Sequence, residues 1–189
     1  MRVGGGKDKG SAWERQVGKL LSLWLTNAER GDIFSRNVLS GGAFTLAEAA
    51  GKISSRAPGD LMAAHPLAFN FLSRFSVECK HLANIGLEAY LLDPRAQTSL
   101  GQIISLASRQ AKHIKLEYMI VAKQNNREAI VMIDGDVGEK MMRCLRAKHG
   151  RISLSPMHHY LHRGSICMLR FCDMLSFIDP EKLLEGLGP

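Results

Sequence analysis

The stretch PGDLMAAHPLAFNFLSRFSVECK, residues 58–80, combines a turn, two predicted strands and three charged side chains. The Pro-Gly turn leads into a strand predicted over 60–64, which opens with Asp60. A second strand is predicted over 74–80 and ends in Glu-Cys-Lys. Pairing of the two strands would bring Asp60 beside the end of the second strand, although seventeen residues separate it from Glu78.

The charged residues of this stretch are suited to metal-assisted phosphodiester chemistry. Side chains alternate along a strand, so Glu78 and Lys80 project from one face and Cys79 from the other. Carboxylates are preferred ligands of Mg²⁺, which makes Asp60 and Glu78 the predicted ligands, with the backbone carbonyl of Cys79 as a third. We expect Lys80 to help deprotonate the attacking water, with a pKa lowered by the metal and by burial. The alternative is a solvated salt-bridge face.

Before this stretch, a helix is predicted to begin at Ser11, after a flexible basic segment over 1–10. Ser11 and Glu14 have the spacing of a capping box. An apolar stripe at helical spacing follows, formed by Trp13, Val17, Leu20, Leu21 and Trp24. The helix should end within 27–31, before a strand over 32–37.

After Lys80, the chain alternates between predicted helices and strands. A helix over 93–112 should begin at the Asp93-Pro94 pair. The remaining elements are strands over 116–122, 129–133 and 166–171, a basic helix over 137–148 and a tail helix over 180–187. The order α-β-β-β-α-β-β-α-β predicts an α/β fold with a mixed central sheet flanked by helices.

Length and composition favour one intracellular globular domain. The 189 residues predict a single domain over 11–189, with a core over about 11–133 and a basic extension over 134–189. No apolar run is long enough to span a membrane, and no secretory signal is visible, so we expect a cytoplasmic protein. The four cysteines form no CxxC pair and are interpreted as reduced thiols.

The charge distribution suggests a polyanionic partner. The formal net charge is +7, and residues 140–172 contain seven Lys or Arg side chains and no acidic one. Such a stretch is typical of a DNA-binding channel, with affinity that falls as salt rises. A solvated basic surface is the alternative.

The motifs together resemble the PD-(D/E)XK nuclease superfamily, with Asp60, Glu78 and Lys80 in the motif positions. The likeness is greatest to the Holliday-junction-resolvase-like branch and its phage-encoded relatives. Their first helix carries a Lys-Gly-x-x-x-Glu-Arg motif, matched here over 9–15, and an Arg-containing strand and a Ser-Gly-rich turn follow. The resemblance covers residues 9 to about 133. Two features depart from it: Gly59 stands where the motif has proline, and the linker before Asp60 is long.

The resemblance implies a restriction-endonuclease-like core and a Mg²⁺-dependent DNA endonuclease, in which Mn²⁺ substitutes for Mg²⁺. It implies that Glu14 completes the metal site and that the product carries a 5′-phosphate. Phage recombination or genome processing is the expected context, in the host cytoplasm, without a small-molecule cofactor or a membrane partner. A homodimer is expected if the substrate is a branched junction with two scissile strands.

Further residues are candidate DNA contacts. A polar stripe on the helix over 93–112 includes Gln102, which the resemblance places near the active site; Gln110 is the alternative, and a solvated face would explain the stripe equally well. The full set of predicted DNA contacts is Arg36, Ser40, Gly41, Gly42, Arg56, Gln102, Arg109, Lys112, Arg143, Arg146, Lys148 and Arg151.

Two other classes of protein remain open. The chain could be a catalytically weak nucleic-acid-binding module of a larger DNA-processing or packaging assembly. It could also be a basic RNA-binding or ribosome-associated protein, which would explain the charge but not the carboxylates. Salt-sensitive binding without metal-dependent turnover would favour either of these classes over a nuclease.

Overall fold

The computed structural model describes residues 5–37, 59–93, 97–149, 157–161 and 164–187. Seven strands lie in these ranges: β1 (Phe34–Arg36), β2 (Leu61–Ala63), β3 (Phe75–Leu82), β4 (Glu117–Gln124), β5 (Ile130–Asp134), β6 (Met157–Leu161) and β7 (Gly164–Arg170). The helices are α1 (Gly5–Leu25), α2 (Phe69–Leu72), α3 (Leu87–Leu92), α4 (Ser99–His113), α5 (Gly135–His149), α6 (Phe171–Phe177) and α7 (Pro180–Leu187).

The central sheet has five strands in the order β3-β4-β5-β7-β6. Strands β3 and β4 are parallel, and every other neighbouring pair is antiparallel. The predicted mixed sheet flanked by helices is therefore confirmed. The two last strands of the sheet come from the basic extension predicted over 134–189, so this part of the chain completes the sheet.

Each face of the sheet buries its own apolar cluster, because the side chains of successive strand residues point to opposite faces. On one face, Val77 and Val121 pack with Trp13 and Val17 of α1, together with apolar residues of α5, α6 and α7. On the other face, Ile120 packs with α3 and α4. The Thr98 hydroxyl oxygen accepts a hydrogen bond from the backbone N–H of Gly101 and so caps the N-terminus of α4.

The predicted start of the first helix is wrong. Helix α1 begins at Gly5, six residues before Ser11, which therefore lies inside the helix. The Ser11 hydroxyl donates to the carbonyl of Asp8 one turn earlier, so it does not cap the helix. The apolar stripe along α1 is buried as predicted, with Val17 and Leu21 fully inaccessible.

The helix predicted over 93–112 begins six residues later than predicted, at Ser99, and ends at His113. The backbone N–H of Asp93 bonds to Ala89 and closes α3, and a separate helix begins at Ser99. Sequence periodicity also missed α2, α3, α6 and β6, which are too short for a reliable period. Among the described residues, no helix is both long and apolar enough to span a membrane.

The strand that follows Asp60 does not pair with β3 as predicted. Strand β2 pairs with β1 in an antiparallel two-stranded sheet, with Arg36 opposite Leu61. Leu61 and Phe34 both pack beside Gly18 of α1, so burial against this helix holds β1 and β2 together. Asp60 nevertheless reaches β3 through one hydrogen bond of its backbone and one of its side chain, both described below.

Candidate active site

Asp60 is held between two segments of backbone at the start of β2. Its N–H donates to the carbonyl of Val77 (2.7 Å), and its carbonyl accepts the N–H of Asn37 (2.8 Å). Its side chain turns to β3, where Oδ2 accepts the backbone N–H of Cys79 (2.8 Å). The side chain is 10% exposed. These contacts place the Asp60 carboxylate beside Glu78, without the strand pairing that the sequence suggested.

Gly59 makes this arrangement possible. Its φ is +107°, a conformation that side chains rarely tolerate and that proline, with φ near −65°, cannot adopt. A Cβ atom here would lie 2.8 Å from the carbonyl oxygen and 3.0 Å from the nitrogen of Val77. The glycine at the position of the motif proline is therefore needed for the close approach of Asp60 to β3.

We expect Gly59→Ala to move Asp60 away from β3. Positive φ and a backbone clash should cost about 1–3 kcal/mol of stability. Displacement of the Asp60 carboxylate should reduce the rate of any metal-dependent cleavage by at least about tenfold, because catalysis is sensitive to small displacements of the reacting groups. Chemical denaturation and a cleavage assay measure the two effects. Gly186→Ala is the matched control, because a Cβ there meets no atom within 4 Å; equal behaviour of both variants would contradict this account of Gly59.

The Lys80 ammonium lies between the two carboxylates. Its Nζ is 2.7 Å from Oε2 of Glu78 and 3.4 Å from Oδ2 of Asp60. Burial, reinforced by the nearby negative charge of Asp60, raises the pKa of the Glu78 carboxyl. Burial by itself would lower the pKa of Lys80, but the carboxylates of Glu78 and Asp60 outweigh it and raise this pKa. Beside these two carboxylates the amine is an ammonium ion, and a lowering of its pKa by a bound metal stays a prediction.

Glu14 and Arg36 form an ion pair at the edge of this site. Arg36 Nε donates to Oε2 of Glu14, and the two side chains are 31% and 13% exposed. Glu14 is near enough for its charge to raise the pKa values of Glu78 and Cys79, although burial is the larger cause in both. Among the described residues, no three His, Cys, Asp or Glu side chains form a ready metal cluster, and Glu14 is held by Arg36.

The donor set is nevertheless suited to a hard divalent cation. The buried carboxylate of Asp60 and the half-buried carboxylate of Glu78 both face the ammonium of Lys80. Together the three groups carry one net negative charge. Carboxylate oxygens and a backbone carbonyl are the ligands that Mg²⁺ takes in proteins. A buried acidic group with a raised pKa and specific charged partners is also typical of functional sites.

The structure places the predicted DNA contacts unevenly. Gln102, Arg109 and Lys112 are exposed on α4, as the predicted polar stripe requires. Arg143 is exposed on α5 and pairs with Glu139 at 3.6 Å. Arg146 and Lys148 lie on the backbone of α5, and their side chains are outside the described part. Ser40, Gly41, Gly42, Arg56 and Arg151 lie outside the described residues.

Two contacts near the site were not predicted from the sequence. Asn37 donates from Nδ2 to the carbonyl of Gly59 (3.0 Å), so it supports the turn before Asp60. Lys123 holds its ammonium over the ring of Trp13, with Nζ 5.3 Å from the ring centroid. No local pattern points to either contact, because each joins segments far apart along the chain.

One comparison with known proteins identifies a family. A family model described as "Phage putative PDDEXK endonuclease" matches residues 5–185 of the chain. No curated protein and no solved structure matches it significantly. The matched range includes α1, both carboxylate-bearing segments and the whole five-stranded sheet. The chain therefore belongs to the phage PDDEXK endonuclease family.

Proposed function

We propose that the protein hydrolyses DNA phosphodiester bonds with a divalent metal cofactor, Mg²⁺ or, in its place, Mn²⁺. The observation that carries this proposal is the convergence of Asp60, Glu78 and Lys80, in which one ammonium contacts both carboxylates. Membership of an endonuclease family supports the same chemistry.

Asp60, Glu78 and the carbonyl of Cys79 would hold the metal. When bound, a divalent ion supplies Lewis-acid polarisation of the scissile phosphate and makes water more acidic. The chain's own contribution is to present both carboxylates in fixed positions. Asp60 is fixed by the Cys79 N–H, and Glu78 by its place on a strand with a neighbour on β4.

Lys80 would act as a positively charged group and not as a base in its resting state. Its contact with Glu78 places the ammonium beside the carboxylates, at the position where a phosphate must approach them. It would orient the attacking water and stabilise negative charge that develops on the phosphate.

Glu14 and Arg36 would exchange partners on substrate binding. Opening of the Glu14–Arg36 pair would free the Glu14 carboxylate for the metal and the Arg36 guanidinium for a phosphate in the same event. Glu14 is therefore proposed as a supporting ligand, and Arg36 as a phosphate contact, in the bound state.

The substrate is proposed to be structured DNA, such as a four-way junction, in phage recombination or genome processing. A homodimer would suit a junction, because two scissile strands need two active sites related by symmetry. The host cytoplasm is the proposed location.

A cleavage assay on a panel of labelled DNAs tests this function. We expect wild-type protein to cut at least one of duplex, single strand, flap and four-way junction in Mg²⁺ or Mn²⁺, and to stop when a chelator is added. Lys80→Ala and Glu78→Ala should each lose at least about a thousandfold in rate, equivalent to about 4 kcal/mol of barrier. Lys182→Ala, which alters an exposed residue of α7, is the control.

The same panel of DNAs also distinguishes a nuclease from a protein that only binds nucleic acid. DNA binding with a steep salt dependence, but no cleavage of any substrate, would contradict the proposed activity of the isolated chain. The protein would then be a nucleic-acid-binding module of a larger assembly. The preferred substrate, if one is cut, identifies the subclass of nuclease.

A further inference from the structure

Lys123 lies on the strand next to the one that carries Glu78 and Lys80, and its side chain is on the opposite face of the sheet from theirs. It lies on β4, directly opposite His81 of β3 in the parallel register, while Lys80 lies opposite Ala122. Lys123 is thus one residue beyond the level of the catalytic lysine. Because side chains alternate, Lys123 and His81 project toward α1, whereas Lys80 projects toward the other face.

Trp13 restricts the position of the Lys123 ammonium. The indole N–H donates to the carbonyl of Val121 (3.1 Å), so the ring is fixed to the strand that carries the lysine. The ring is buried, and Lys123 Nζ lies over it at 5.3 Å from the centroid. His81 meets the same ring edge-on, with the centroids 6.2 Å apart. A lysine held against an aromatic ring presents its charge with little conformational freedom.

Two basic side chains of the candidate active site are already paired. Arg36 is bound to Glu14, and Lys80 to Glu78 and Asp60. Within the described residues, Lys123 has no carboxylate at ion-pair distance; its contact is the Trp13 ring. A half-buried lysine whose amine is held in one position, without a carboxylate partner among the described residues, is suited to an anionic ligand that comes from outside the chain.

We propose that Lys123, positioned by Trp13 and flanked by His81, binds a backbone phosphate of the bound DNA on the α1 side of the sheet. This inference rests on the proposed nuclease function, because the ligand is the substrate of that site. The ammonium would supply a sequence-independent charge contact, and the His81 ring a hydrogen-bond donor at the same edge. The contact would fix how the bound DNA lies against the protein and would not take part in bond cleavage.

Equilibrium DNA binding, measured without cleavage, tests the contact. A short labelled DNA duplex is titrated with protein in the presence of a chelator, over about 50–200 mM salt. We expect Lys123→Gln to weaken binding by about eightfold at 0.1 M salt and to reduce the slope of log K against log salt by about 1, because one phosphate contact contributes about 0.9 to that slope. Lys123→Arg should restore the wild-type slope.

The control is Lys182→Gln, which removes the same charge from α7 and should change affinity by no more than about twofold, given screening at this salt. Thermal melting checks that each variant is folded. If Lys123→Gln matches Lys182→Gln in affinity and slope while wild type cleaves DNA, the phosphate contact is wrong and the nuclease function stands. If wild type neither binds nor cleaves, both are wrong.

Discussion

Asp60→Asn should leave the protein folded and reduce DNA cleavage by at least about a thousandfold. The substitution keeps the shape of the side chain and an oxygen that can accept the Cys79 N–H, so the position at β3 can persist. It removes one of the two negative charges that face Lys80, and with it the charge that makes the site attractive to a divalent cation. A thousandfold loss corresponds to about 4 kcal/mol in the activation barrier.

Two measurements separate the chemical effect from a folding defect. Circular dichroism and thermal melting should show a native Asp60→Asn variant, destabilised by no more than about 1–3 kcal/mol for the altered buried hydrogen bonds. Titration with Mn²⁺ should show weaker binding than in wild type. Glu128→Gln is the matched control, because Glu128 is an exposed carboxylate paired at the surface with Arg170. Cleavage by Asp60→Asn within tenfold of wild type would show that Asp60 is not a metal ligand.

Gly138→Ala should cause the largest loss of stability. Gly138 lies on α5 at its contact with β7, where an added Cβ would overlap the Cβ of Cys167 and lie 2.8 Å from its Sγ. Cys167 is fully buried, and its strand is held in the sheet between β5 and β6, so neither partner can move easily. We expect the free energy of unfolding to fall by about 3 kcal/mol, at the upper end for overpacking. The melting temperature should fall by about 6–12 °C.

Gly10→Ala provides the comparison. Gly10 is inside α1, and a Cβ there meets no atom within 4 Å, so alanine should raise stability by up to about 1 kcal/mol through helix propensity. The two substitutions should change the free energy of unfolding in opposite directions, which distinguishes the effect of packing from that of helix propensity. Cys167→Gly in the Gly138→Ala background removes the overlapping atom and should recover part of the loss. A Gly138→Ala variant as stable as wild type would mean that α5 packs farther from β7.

Several elements could be predicted because their signals are local. The apolar stripe of α1 and the inward positions of α4, including Leu100 and Ile104, repeat at helical spacing within one element. The strands β4 and β5 and the turn between them follow from an apolar run on each side of polar residues. The start of α1 was placed too late because the pattern Ser11-x-x-Glu14 mimics a cap, whereas the helix continues N-terminally and Glu14 binds Arg36.

The order of predicted helices and strands along the chain was sufficient to predict a mixed α/β fold. The order and chemistry of residues 58–80 predicted that Asp60, Glu78 and Lys80 meet. Alternation along a strand and the ligand preferences of hard cations are properties of residue type and spacing. Only the tertiary structure decided how Asp60 reaches β3, which partner Glu14 takes and where Lys123 lies. Those contacts join segments as much as 110 residues apart, as Trp13 and Lys123 are. They depend on how helices and strands pack together, which periodicity within one element does not encode.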